Sequence, residues 1–305
     1  MSAVKQEKRP IRKSAVVRIV VWSVVFCLLG LILLAGVTGW MGDGSFFGLP
    51  GIHFSLGGFT YDDEHEYSRG NAVVEDRITD LEINWIAGDV TVIPSESDTV
   101  SVSENFDGGD EDMRLRWRVK NGKLTVQFCK SAWFGIDREA RKDLTVAIPA
   151  SMLESMNEVE ITTVSGGVRF TGNADELTLD AVKGELTLCG DIGELDVHAV
   201  EGKVTFTGGV RSAELECVDA AVTMYLDMAA ELSFEQVNGD VSLYLSDEIT
   251  GFSAEVESLG GEIAVEGFDC MDTAGKRNAR WGDGSLRVSV EGVDAKLNIK
   301  KLTQD

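Results

Sequence analysis

The chain is poor in the residues that carry most enzyme and metal chemistry. Its 305 residues include three histidines and five cysteines. Cys27 lies in an apolar run, while Cys129, Cys189, Cys217 and Cys270 are scattered with no CxxC spacing. Four such cysteines allow three pairings, between which the sequence does not choose, and the spacing offers no zinc site. They read as isolated small buried residues. His53 and His65 fall in a linker without HxxxH context, and His198 stands alone in the repeat region. A lone histidine on an outward strand position reads as a surface residue rather than a base. The acidic runs Asp62-Asp63-Glu64 and 107–112 lack the regular alternation of a calcium loop and read as solvated loops. No catalytic residue, metal or cofactor is expected.

Positive charge is also scarce. Lys and Arg number 28 against 51 Asp and Glu, for a formal net charge of −23. Lys5, Lys8, Arg9, Arg12, Lys13 and Arg18 against Glu7 give residues 1–18 a net of +5, so the rest carries −28. Nucleic acid is an unsuitable partner for such a body, because phosphate contacts dominate that affinity. The charge favours solubility and resists self-association at sheet faces.

What the chain does have is a repeat. Around a small residue at position zero, apolar side chains fall at −7, −5, −2, +2 and +4. Position zero is Gly88, Gly166, Gly184, Gly202, Ala220, Gly239, Gly261 and Ala295, and all forty apolar slots of these eight copies are filled by apolar residues. From Gly166 to Gly261 the spacings are 18, 18, 18, 19 and 22 residues. A fixed period near 20 residues marks a repeat architecture whose units bury their faces on their neighbours. Period-two alternation makes the arms strands.

Two folds accommodate the pattern. In a parallel β-solenoid, or β-helix-like stack, each copy is one rung of roughly 18 residues. In an antiparallel meander each copy is a hairpin turning at pairs such as Asn238-Gly239 or Lys183-Gly184. Alanine is poor at positive φ, yet Ala220 and Ala295 occupy position zero. Position zero also shares inward parity with −2, +2 and +4. The constraint therefore reads as size, which favours the solenoid, with strands about 4.8 Å apart.

Ile19 to Met41 is 23 residues without a charge, with Trp22 and Trp40 near its ends. That length spans a hydrocarbon core. The basic flank is N-terminal, so the N-terminus is expected in the cytoplasm and the rest outside. A cleavable signal peptide has a shorter apolar region and a small-x-small site. Ala35-Gly36-Val37 is a mediocre one, so an uncleaved anchor is expected. The organisation is then a basic tail (1–18), a transmembrane helix (19–41), a linker (42–75) and a β-repeat domain (76–302).

After the first copy the chain departs from the repeat for about 65 residues. Within this departure Arg114 to Phe128 reads as a hairpin with a type I′ signal at Asn121-Gly122. Leu144, Val146 and Ile148 form a strand stopped by Pro149. Phe268–Ser285 interrupts the last two copies and holds Lys276, Arg277, Arg280 and Trp281. A basic, tryptophan-bearing loop on an acidic body is a candidate partner-binding loop. The competing reading is a tryptophan covering the solenoid end, as end caps must. The last copy, Val288 to Ile299, is expected to close the stack.

At LEINWIAGDVTVIP, LTVAIP (144–149), VEITTVSGGVRFTG (159–172) and RWGDGSLRVSVEGVDAKLNI (280–299) the chain resembles a known family. It is similar to the membrane-anchored β-strand-repeat proteins of Gram-positive bacteria grouped as "putative adhesins", the domain-of-unknown-function 4097 group. The resemblance spans about 76–302. It implies a β-solenoid-like fold and a cell-envelope location, and it carries no agreed catalytic residues. Alanine at two glycine positions and the charged 275–280 segment depart from the pattern.

Three functions are open. The first is a non-catalytic, membrane-anchored binding or regulatory scaffold, whose partner is an envelope protein or a glycan. The second is a polysaccharide-acting β-helix enzyme, which needs converging carboxylates. At the outward position +1, Glu185 and Lys203 would be neighbours, and a surface ion pair of little worth is the simpler account. The third is a polymer-forming, bactofilin-like scaffold with uncapped rungs. The sequence favours the first.

Overall fold

A computed structural model describes residues 45–49, 52–55, 58–106, 108–131, 140–270 and 277–302, with side chains from Phe59 onward. The basic tail, the apolar span 19–41, Cys27 and Lys276 lie outside these residues. Among the described residues no helix is long and apolar enough to cross a membrane.

The chain is all-β. Ser45–Leu49, Ile52–Ser55 and Gly58–Tyr61 form a three-stranded antiparallel sheet. The other described strands join one curled 16-stranded sheet. Its central pairings are parallel and follow the repeat. Asp80–Ala87 pairs with Met156–Ser165 (Leu81 opposite Val159), which pairs with Ala174–Cys189 (Val159 opposite Leu177). That segment pairs in turn with the ribbon Ile192–Leu245, placing Leu177 opposite Leu195 and Gly184 opposite Gly202. Each column therefore stacks on itself, and the hairpin alternative does not describe these copies.

Positions −7, −5, +2 and +4 face inward as expected. Leu81, Ile83, Val90 and Val92 of the first copy and Leu177, Leu179, Leu186 and Leu188 of the third are at most 1% exposed. Position −2 does not face inward. Trp85, Thr163, Ala181, Ala199, Cys217, Gln236 and Ser258, at −3, take the inward place, while Val200, Val218 and Leu259 at −2 are exposed. The chain turns a corner before position zero, and two consecutive residues lie on the outside of the bend. Strict alternation thus slips by one there.

At position zero the neighbouring tier comes very close. A Cβ on Gly166 would collide with the carbonyl oxygen of Gly88, one on Gly184 with that of Gly166, and one on Gly202 with that of Gly184. Size is therefore a real constraint, and its source is the adjacent backbone. Gly202 also has φ of 146°, so conformation restricts this site as well.

The two ends differ from the sequence expectation. The 65-residue departure builds a further parallel tier ahead of the first copy. Lys123–Gln127 lies on Asp80–Ala87 and Leu144–Pro149 lies on Val90–Ser95. Antiparallel Arg116–Lys120 and Val100–Glu104 cover that tier. The hairpin at Asn121-Gly122 has φ of 54° and 83°, as a type I′ turn requires. At the other end the last copy does not close the stack. Leu286–Lys301 pairs with the sixth copy on one side (Gly239 opposite Ala295) and with the seventh on the other (Ala254 opposite Val288, Ile263 opposite Leu297). The long link between the seventh and eighth copies makes this possible. It runs back along the outer edge of the seventh copy, where Asn278–Gly282 pairs antiparallel with Gly251–Ser258.

Candidate binding faces

Because the copies stack in register, outward residues form columns. Two arms of each tier give two faces. On the −4, −6 and −8 columns the side chains are mostly carboxylates, among them Glu82, Glu160, Glu176, Asp180, Glu194 and Asp196. Glu235, Glu291 and Glu257 succeed one another down a single column. Lys123 braces the first end, its Nζ 3.1 Å from Glu82, 3.8 Å from Glu160 and 4.0 Å from Glu158. Burial pushes the Glu160 carboxyl above its ordinary range, and Glu82 adds to the rise. Burial likewise raises Glu216, with Glu235 and Glu214 adding to it and His198 opposing. A cleft of about 410 Å³ on this face is lined by Glu176, Glu194, Asp196, Glu214 and Glu231, among others.

His198 is inlaid in the acidic face. Its Nδ1 is 3.0 Å from Asp180 Oδ1, and its Nε2 lies 3.6 Å from Asp196 and 3.9 Å from Glu216. The hydrogen bond with Asp180 is the main cause that pushes its pKa up to about 9; Asp196 and Glu216 assist and burial opposes. At neutral pH the ring is an imidazolium, which has no lone pair with which to take a proton.

The other face is mostly uncharged and hydroxyl-bearing, with Arg169 between Thr91 and Thr187 and the Lys300–Glu266 ion pair at its outer end. Thr145 lies beside Thr91, and Thr187 beside Thr205. Tyr225 and Tyr244 stack with ring centroids 4.7 Å apart at 16°. On its border Lys203 Nζ is 3.5 Å from Glu185 Oε1, both side chains more than half exposed. The stacking brings these two together as a surface ion pair, with no third charged group within salt-bridge distance of Lys203 among the described residues.

The candidate loop 276–281 is partly a strand. Arg277 and Arg280 are exposed, and the Arg280 guanidinium donates to the carbonyl of Asp283 at 3.3 Å. Trp281 packs on Phe268 (4.7 Å) and near Phe252 (6.1 Å) over the outer edge of the seventh copy. Among the described residues Cys129, Cys189, Cys217 and Cys270 are free, and no group of three or more His, Cys, Asp or Glu is placed to hold a metal ion.

Sequence reasoning missed two features. The acidic face was readable by aligning the −8, −6 and −4 columns of the repeat. The other, Lys142, lies in the departure, where no periodicity marks it. Its side chain is fully buried, with Nζ 2.6 Å from Glu104 Oε2 and 4.3 Å from the Phe128 ring centroid.

Residues 78–219 match the family model described as Toastrack DUF4097. No curated protein matches the chain. Among solved structures, the chain is similar to a putative cell adhesion protein from Clostridium sporogenes ATCC 15579, at 13% identity over 77% of this chain and 100% of that one, with a TM-score of 0.35. A putative adhesin from Bacteroides fragilis NCTC 9343 matches at 11% identity over 77% and 97% of the two chains, with a TM-score of 0.38. One from Parabacteroides distasonis ATCC 8503 matches at 13% identity over the same shares, also at 0.38. Residues 78–219 are thus similar to the Toastrack DUF4097 family, the group that the sequence resembles.

Proposed function

We propose that the protein is a non-catalytic binding scaffold of the cell envelope. In this reading the domain is a β-solenoid of about eight rungs, held at the membrane by the span 19–41 and carried outside the cell. The observation behind it is the in-register stacking of outward columns into two broad faces, one acidic and one rich in hydroxyls. A rigid face of repeated side chains suits recognition of an extended partner, an envelope protein or a glycan. Antiparallel strands cover both arms of the first end and one arm of the outer end, where Ile263–Glu266 pairs only with Leu286–Lys301. This cover favours a discrete scaffold over a filament, because exposed strand edges are what drive end-to-end pairing.

The test is protease treatment of intact cells, followed by purification of the full chain from solubilised membranes. The expected result is release of a fragment within 76–302 by external protease, and a partner retained through purification. A domain protected until the cells are broken would overturn the topology. A chain that purifies alone, and binds no envelope glycan, would overturn the binding role.

A further inference from the structure

Position −2 is aliphatic in all eight copies, yet it is not core. In stack order its outer half runs Val200, Val218, Val237, Val293, Leu259. Val237 is half-buried, and the other four are 42, 43, 51 and 85% exposed, rising towards the outer end. Tiers about 4.8 Å apart make this a continuous apolar ridge about 19 Å long. Core packing does not require it, since the adjacent −3 residues Ala199, Cys217, Gln236 and Ser258 already fill the interior. A contiguous exposed apolar strip on an otherwise polar surface is a mark of an interaction site.

The borders of the ridge specify the partner. On the −4 side stand Glu216, Glu235 and Glu257; on the −1 side stand Glu201, Asp219 and Asp294. Of the cations beside these borders, His198 and Lys183 sit at the inner end and are paired with Asp180 and Glu201. Arg277 lies at the outer end, its carbonyl accepting the Val256 N–H, so the carboxylate rows dominate over the inner four tiers. An apolar stripe between two rows of carboxylates is complementary to a helix with an apolar stripe between two rows of Lys or Arg. At 1.5 Å per residue, about 13 helical residues cover 19 Å. The same carboxylates disfavour an anionic lipid surface.

We propose that the −2 ridge, from Val200 to Leu259, is the docking surface for a cationic amphipathic helix of a partner protein. The inference deepens the binding-scaffold reading and rests on it. Binding places the helix along the stack axis, with its apolar stripe on the valines and its basic residues over the flanking columns.

The probe is a fluorescein-labelled peptide of leucine and lysine about 14 residues long, with leucines spaced i, i+3, i+4, i+7. A scrambled peptide of the same composition, which forms no stripe, is the control. The full chain is held in phosphatidylcholine nanodiscs, with empty discs as the blank, and binding is read by anisotropy. The striped peptide is expected to bind at least about tenfold more tightly than the scrambled one. Val218→Thr with Val293→Thr and Leu259→Thr removes that advantage with an unchanged thermal midpoint. Glu216→Gln with Glu235→Gln and Glu257→Gln weakens both peptides and flattens the salt dependence. Equal binding of the two peptides, no binding of either, or no effect of the threonine variant overturns the proposal. If the proposal falls while a partner still co-purifies with the full chain, the scaffold reading stands and the ridge is not its site.

Discussion

Lys142 shows how much one residue can depend on its partners. Its ammonium donates to Glu104 Oε2, to the carbonyl of Met113 and to the carbonyl of Phe128, and the rings of Trp85 and Phe106 lie 5.1 and 5.4 Å away. Glu104 uses its other oxygen to accept the Leu115 N–H at 2.9 Å. The Lys142 backbone serves too, since Trp85 Nε1–H donates to its carbonyl at 2.8 Å. Burial pushes the Lys142 amine below its ordinary range, and the Glu104 hydrogen bond and charge oppose this. Taking two charges out of water is tolerable only when both are fully partnered. Lys142→Met is therefore expected to lose about 3–5 kcal/mol, because it strands the Glu104 carboxylate. Lys142→Met with Glu104→Leu should recover much of that loss. Urea unfolding of both variants decides it; a double variant no more stable than the single one would refute the charge argument. The sequence gives no sign of this pair. The two residues lie 38 positions apart in the one stretch that breaks the repeat, and an isolated Arg141-Lys142-Asp143 run reads as solvated.

At the level of the strand and its corner, the repeat was legible in its columns and misleading in one of them. The −7, −5, +2 and +4 slots are core, because strand alternation is a local property that sequence carries directly. The −2 slot is apolar and outside, because the corner shifts the alternation by one residue and that bend is visible only in three dimensions. The glycine column was legible as a limit on size, while its cause, the carbonyl of the tier below, needed the stacking order. In that order the column alternates Gly202, Ala220, Gly239, Ala295, Gly261, so no alanine rests on another. A Cβ at Gly202 meets the Gly184 carbonyl, whereas one at Gly167 would be 3.2 Å from the Glu185 oxygen. Gly202→Ala should cost about 1–3 kcal/mol through overpacking and strain, and Gly167→Ala clearly less. Thermal unfolding of the two variants checks the ranking. Equal losses would mean that position zero is an ordinary turn.

Across the whole molecule, chain order and stack order part company at the last two copies. Eight similar units in sequence imply eight tiers in the same order, and nothing in the columns distinguishes the seventh from the eighth. Only pairing reveals that Leu286–Lys301 is interior and Gly251–Ser258 is outer. Two deletions separate these alternatives. A chain ending at Ser285 lacks the interior tier, so the sixth copy gains an open edge and the seventh loses its parallel partner. Units of a repeat stack are stabilised mainly by their neighbours. Hydrogen exchange should then show lost protection across Leu232–Leu245 and Gly251–Ser258, with the first copies still protected. A chain lacking 251–285 instead loses the outer tier and its antiparallel cover. It leaves 21 residues between Gly239 and Ala295, within the 18 to 22 that separate Gly166 to Gly261. The eighth copy can then follow the sixth directly, and protection across Leu232–Leu245 should persist. If the larger internal deletion proves the more disruptive of the two, the seventh copy is the interior one and the stack follows the order of the chain.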